Sequence, residues 1–132
     1  MKTEFTVSTI LPATPENVFE AWLSSGGHSA MTGSPAKVEA RVGGAFTAWD
    51  GYITGKTLEM KPNSRIVQAW RTSEFSDENP DSRLEILLEP TKRGTKLTLI
   101  HSNIPDDQAE SYESGWDDNY FKPMKEYFSK KP

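Results

Sequence analysis

The chain contains no cysteine. That excludes a disulfide framework, a cysteine-ligated zinc or iron–sulfur centre and a thiol nucleophile. It also lacks any apolar run near the ~20 residues of a membrane-spanning helix, and its first residues, Met1 to Phe5, lack the apolar stretch of a secretory signal. Basic residues are outnumbered: 15 Lys and Arg stand against 19 Asp and Glu, a formal net charge of −4. Phosphate recognition needs clustered cations, so neither nucleic acid nor a membrane surface is expected as a partner. A cytoplasmic location is expected. Aliphatic residues are scarce as well. Leu, Ile, Val and Phe account for only 25 of 132 residues, near the fraction that raises the question of disorder. Disorder also calls for a high net charge, which is absent here.

Rings take the place of aliphatics, with six Phe, four Trp and four Tyr. A chain of this length fits one domain, expected over residues 1–132, and buries enough surface to need no covalent staple.

Along the chain, Phe5 to Leu11 has the β-branched, alternating pattern of a strand. Thr14, Pro15 and Glu16 suit a helix start as cap, first-turn proline and dipole-complementing acid. Val18, Phe19, Trp22 and Leu23 form the apolar stripe of that helix, and Ser24 to Gly27 is expected to end it. His28 to Thr32 reads as a further short helical turn. Strands follow: Lys37 to Arg41, Ala45 to Trp49, and Tyr52 to Met60 with a bulge expected at Gly55. Asp50-Gly51 marks a hairpin. Ile66, Gln68 and Trp70 share one strand face, as do Leu84, Ile86 and Leu88, and then Leu97, Leu99 and His101.

A last helix is expected to open at Pro105-Asp106-Asp107, with Asp107 and Glu110 as a capping box and a kink at Pro123. Its stripe carries Ala109, Tyr112, Trp116, Tyr120, Met124 and Tyr127, and Phe121 and Phe128 widen it. Strand, helix, about six closely spaced strands and a long helix predict a curved antiparallel sheet with the helix across it.

Local motifs sharpen this. Gly43-Gly44-Ala45-Phe46, Asp50-Gly51-Tyr52-Ile53-Thr54-Gly55, Arg65-Ile66-Val67, Trp70-Arg71, Asn103-Ile104-Pro105, Gly115-Trp116 and Tyr120-Phe121 occur in that order. In this string the chain resembles the activator of heat-shock-protein-90 ATPase homologue family, in its C-terminal domain type, from about Thr3 to Lys130. The resemblance implies an α+β helix-grip (START/Bet v-like) fold: six to seven antiparallel strands wrapped on a long C-terminal helix, with a cavity between them. It implies no cofactor and no universal catalytic residue. In the eukaryotic co-chaperone this domain follows a separate N-terminal domain that grips the chaperone.

With only two histidines, His28 and His101, and no cysteine, no metal site is expected. The glycine doublets fit neither phosphate-loop pattern. Trp22, Phe46, Trp70, Trp116 and Tyr120 are expected to converge between sheet and helix, as a solid aromatic core or as the wall of a cavity; the resemblance favours the cavity. The first reading is a non-enzymatic domain binding a small apolar or aromatic ligand, with Trp22, Met31, Phe46, Gln68, Trp70, Leu99, His101, Trp116 and Tyr120 as site residues. Gln68 and His101 would orient polar groups. Access is expected between the long helix and the Ser24–Ser34 region. The second reading is a module binding a heat-shock-protein-90-type chaperone and stimulating its ATPase. The third is a cyclase- or hydrolase-type enzyme using His101 or Glu39 as acid or base. A monomer or weak homodimer is expected.

Overall fold

A computed structural model describes residues 3–130. The ends of the domain expected over 1–132, Met1 and Lys2 among them, lie outside the described residues. Seven antiparallel strands form one sheet in the order β1-β7-β6-β5-β4-β3-β2. They are β1 (Phe5–Leu11), β2 (Lys37–Val38), β3 (Ala45–Ala48), β4 (Ile53–Lys61), β5 (Arg65–Thr72), β6 (Ser82–Thr91) and β7 (Gly94–Ser102). Helices α1 (Pro15–Trp22) and α2 (Ser25–Thr32) lie between β1 and β2. A continuous helix closes the chain: α3 (Ala109–Trp116), a π turn (Asp117–Phe121) and α4 (Lys122–Lys130). This is the curved sheet with a C-terminal helix of the helix-grip fold.

Pairing puts the alternating faces in register. Ile66 stands opposite Ile86 and Gln68 opposite Leu84. Ile86 in turn meets Leu99, and Leu84 meets His101. These inner-face residues are fully or almost fully buried together with Trp22, Trp116, Tyr120 and Met124. At ~1.5–3 kcal/mol for each large side chain buried, a few rings offset the shortage of aliphatics.

The elements differ from the sequence reading at five places. Helix α1 ends at Trp22, just before Ser24 as expected, but Ser24 opens the next helix at once: its hydroxyl accepts from Gly27 N and caps α2. Gly26 and Gly27 therefore sit inside α2, and a Cβ at Gly27 would stand 2.8 Å from Ala21 Cα, so the glycine lets α2 pack closely on α1. The strand expected to Arg41 stops at Val38, because the Glu39 carboxylate folds back to accept from Ala45 N at 2.9 Å. The bulge lies between Thr57 and Glu59, not at Gly55. Gly55 is needed for space: a Cβ there would lie 1.9 Å from Ala69 O and 2.7 Å from the Phe46 ring.

The last helix starts at Ala109, with Gln108 at the cap position and no side-chain capping bond. The Gln108 amide is committed elsewhere, donating to Glu74 O at 3.1 Å and accepting from the Tyr112 hydroxyl. Finally, the disturbance expected at Pro123 takes the form of the π turn. Lys122 N donates to Asp117 O, five residues back. Pro123 has no N–H to give and its ring would crowd the Asn119 carbonyl, so the wider turn relieves the strain just ahead of it. The extra residue also lets Tyr120 and Phe121 both face inward.

Candidate functional site

The β3–β4 turn brings Trp49 to the π turn, its ring 6.4 Å from that of Tyr120. Here lies a cleft of about 170 Å³, lined by Trp49, Tyr52, Ile53, Trp70, Tyr112, Gly115, Trp116, Asn119 and Tyr120. Six of these nine carry an aromatic ring. Tyr112 and Trp116 stand one turn apart on α3, and a Cβ at Gly115 would meet only Asn119 Nδ2, at 3.6 Å.

Three buried hydrogen-bond chains hold the rings in place. In the first, the Trp116 indole N–H donates to His101 Nδ1 at 3.1 Å. An indole nitrogen can only donate, so Nδ1 is unprotonated and the proton of the neutral ring sits on Nε2. Nε2–H then donates to Ser82 Oγ at 2.8 Å, and Ser82 O–H donates to Trp70 O at 2.6 Å. Burial drives the His101 pKa down to about 3, which keeps the ring neutral.

The second chain starts at a carbonyl. His28 Nδ1–H donates to Trp22 O at 2.9 Å, leaving Nε2 to accept from the Tyr120 hydroxyl at 2.7 Å. Burial lowers the His28 pKa, partly opposed by the bond to Trp22 O. In the third, Thr72 Oγ1 donates to the Tyr112 hydroxyl at 2.7 Å, which donates to Gln108 Oε1 at 2.6 Å.

The cleft is neutral. Burial raises the pKa of Tyr112 and Tyr120. Tyr52 is pushed up to about 12, first by burial and then by its hydrogen bond to the Glu74 carboxylate. Every phenol therefore keeps its proton near pH 7.

The residues expected from the sequence fall into three groups. Trp70, Trp116 and Tyr120 form the cleft wall. Trp22, Gln68, Leu99 and His101 lie behind it. Trp22 is 5.2 Å from Tyr120, ring to ring, and donates its N–H to Gln68 Oε1 at 3.3 Å. The Gln68 amide donates in turn to Thr57 Oγ1, and His101 has both nitrogens committed, so neither reaches the cleft. Met31 and Phe46 are elsewhere: Met31 borders a groove against Pro123 and Tyr127, and Phe46 a groove against Ser25 and Val38.

In the Ser24–Ser34 region α2 packs on the π turn through the His28–Tyr120 bond. A groove does run there between α2 and α4, lined by Met31, Thr32, Pro123 and Tyr127, but it is separate from the ring-lined cleft, whose walls come from the β3–β4 turn, β5, α3 and the π turn. Trp49, Tyr52, Ile53, Tyr112, Gly115 and Asn119 line the cleft without having been among the expected site residues. A Trp directly before the Asp50-Gly51 turn, and a Tyr four residues before Trp116, are the sequence signals that mark two of them.

For acid–base chemistry the polarity is unsuited. His101 donates to Ser82 rather than receiving its proton. Glu39 is exposed outside the cleft, and its pKa is lowered by the Ala45 N–H and then by Arg41, the wrong direction for a proton donor at neutral pH. Among the described residues, no three His, Asp or Glu side chains gather to hold a metal ion. No helix of the described residues is long and apolar enough to cross a membrane.

Comparison with known proteins gives a consistent picture. The profile of the "Activator of Hsp90 ATPase homolog 1-like protein" family matches residues 12–129. A Dictyostelium discoideum activator of 90 kDa heat shock protein ATPase homolog is 29% identical over 116 residues, 87% of this chain and 30% of that protein. The human homolog 1 is 26% identical over 125 residues, 95% of this chain and 37% of that protein. The chain thus spans about a third of the length of the curated relatives it matches. In structure, an HSP90 activator from Plasmodium falciparum superposes with a TM-score of 0.88 at 24% identity, over 97% of both chains. An Aha1 dimer from Colwellia psychrerythraea gives 0.80 at 16% identity, over 96% of both.

Proposed function

The chain belongs to the activator of Hsp90 ATPase homolog 1-like family, and within it we propose that this domain binds a small apolar or aromatic ligand in the cleft at the β3–β4 turn. The observation that carries the proposal is a solvent-reachable cleft walled by six rings. Size limits the ligand. About 170 Å³ is close to the ~150 Å³ of a cavity that takes benzene and below the ~300 Å³ of ordinary drug-sized pockets. The fit is to one ring with a small substituent, not to an acyl chain or a fused polycycle.

The test is a titration with single-ring compounds, followed by tryptophan fluorescence and melting temperature. Trp49, Trp70 and Trp116 line the cleft, so an occupant quenches or shifts their emission. Ligand at a hundred times its dissociation constant adds about 2.7 kcal/mol to stability. A broad panel that moves neither signal rejects the proposal.

A second reading has separate support in the names of the relatives: the domain binds a heat-shock-protein-90-type chaperone and stimulates its ATPase. An ATPase assay with the chaperone of the same host decides it. An unchanged rate, with no binding at tens of micromolar, counts against this reading and leaves the first untouched. Self-association, suggested by the dimeric relative, is read in the same samples by sedimentation.

A further inference from the structure

Among the described residues, one buried side-chain nitrogen or oxygen has no hydrogen-bond partner: Trp49 Nε1. It belongs to a residue of the cleft wall. The Tyr120 hydroxyl is near enough for the indole N–H to oppose the rise in its pKa, yet no bond of normal geometry forms between them. An unmade hydrogen bond at a buried donor costs free energy, and native structures rarely leave one.

The backbone makes the placement more pointed. Trp49 has φ 54° and Asp50 φ 57°, followed by Gly51 at 91°. The left-handed region is unfavourable for a bulky side chain such as Trp, and such outliers cluster where a ligand is held. The turn is fixed in that form by Asp50 N donating to Pro35 O and Tyr52 N donating to Trp49 O. A strained turn therefore places at the cleft wall a buried donor for which the Tyr120 hydroxyl is the nearby but poorly aligned acceptor.

We propose that Trp49 sets the ligand specificity of the cleft: its indole N–H receives a neutral hydrogen-bond acceptor, such as a carbonyl oxygen, carried by a single-ring aromatic ligand. This rests on the ligand-binding reading above and narrows it. Neutrality follows from the surroundings. No Lys or Arg lines the cleft, while Asp50 adjoins Trp49 and the Glu74 carboxylate accepts from Tyr52. An anionic group would meet like charge with no cation to offset it.

The experiment uses the full chain, labelled with ¹⁵N, and three ligands of similar size: acetophenone, ethylbenzene and benzoate. Trp49→Phe keeps a ring and removes the N–H. Because acetophenone and ethylbenzene differ in hydrophobicity, the quantity read is the ratio of their affinities in each protein, which cancels that difference. The ratio should fall by roughly three- to tenfold in W49F, the worth of one neutral hydrogen bond. In the unsubstituted chain the Trp49 indole proton signal should move downfield with acetophenone and not with ethylbenzene, a readout that holds even if W49F folds poorly. Benzoate should bind more weakly than acetophenone.

An unchanged ratio in W49F, or equal shifts with both neutral ligands, overturns the specificity role while leaving the ligand-binding reading intact; the N–H is then satisfied by Tyr120. Benzoate binding as tightly as acetophenone overturns the neutral-acceptor assignment. If no ligand perturbs any indole signal up to its solubility limit, both readings fail together.

Discussion

Trp116 donates its indole N–H to His101 Nδ1 across 3.1 Å of the domain interior, and that single bond decides which imidazole nitrogen carries the proton. It links the middle of the long helix to the last strand. Through Ser82 and the Trp70 carbonyl it reaches β5 as well. Each group in the chain uses its donor once, so the network has no spare proton and no vacancy for one.

The first prediction concerns acid. The folded pKa of His101 is about 3 against an ordinary 6.5, so its contribution to stability is fully present above pH 6.5 and is lost as pH falls toward 3. Between pH 7 and 5 a histidine held neutral in this way costs about 2 kcal/mol, and His28, also lowered, acts in the same direction. Denaturant midpoints at the two pH values should show the loss, and His101→Gln should remove part of the dependence. An imidazole that titrates near 6.5 by NMR in the folded protein contradicts the assignment.

Trp116→Phe should be more harmful than its conservative appearance suggests. It leaves His101 Nδ1 without a donor in a fully buried site and opens space beside Trp22 and Tyr120. The expected loss is about 2–4 kcal/mol by urea denaturation. A loss under about 0.5 kcal/mol would mean that water or a rotated ring satisfies the histidine.

Tyr120→Phe separates stability from the cleft. The variant keeps the ring that lines the wall but removes the hydroxyl that donates to His28 Nε2. Stability should drop by about 1–2 kcal/mol, while affinity for a single-ring ligand should change less than roughly threefold, since ring area is retained. A large affinity loss at unchanged stability would place the hydroxyl itself on the ligand.

Gly55→Ala tests packing across the sheet. With the Ala69 carbonyl and the Phe46 ring both inside contact distance of a methyl group, the backbone of β4 and β5 must separate. The cost should be about 3 kcal/mol or more. Trimming the ring with Phe46→Ala should not rescue it, because the carbonyl clash remains.

Much of the architecture was legible because burial follows simple periods. Leu84, Ile86 and Leu88, or Leu97, Leu99 and His101, alternate as a half-buried strand must, and Thr14-Pro15 caps α1 as its chemistry dictates. What stayed hidden depends on neighbours distant in the chain. Gly27 is defined by Ala21 beneath it, Gly55 by the Phe46 ring and the Ala69 carbonyl, and Glu39 by Ala45 N. The cleft was half legible. Trp70, Trp116 and Tyr120 follow from strand and helix phase, whereas Trp49 and Tyr52 come from the β3–β4 turn, whose placement against the long helix no local pattern sets. His28 finds Tyr120 across 92 residues, a pairing no local pattern announces, and it fastens α2 to the π turn.

The π turn has a bearing on how such a domain diversifies. One added residue rotates everything beyond it by about 100°, so the two halves of the helix answer to different neighbours. Tyr112 and Trp116 precede the turn and serve the cleft, while α4 beyond it packs on α2 and β1. Descent can therefore revise the ring-lined half for a new occupant while the fastening half stays as inherited.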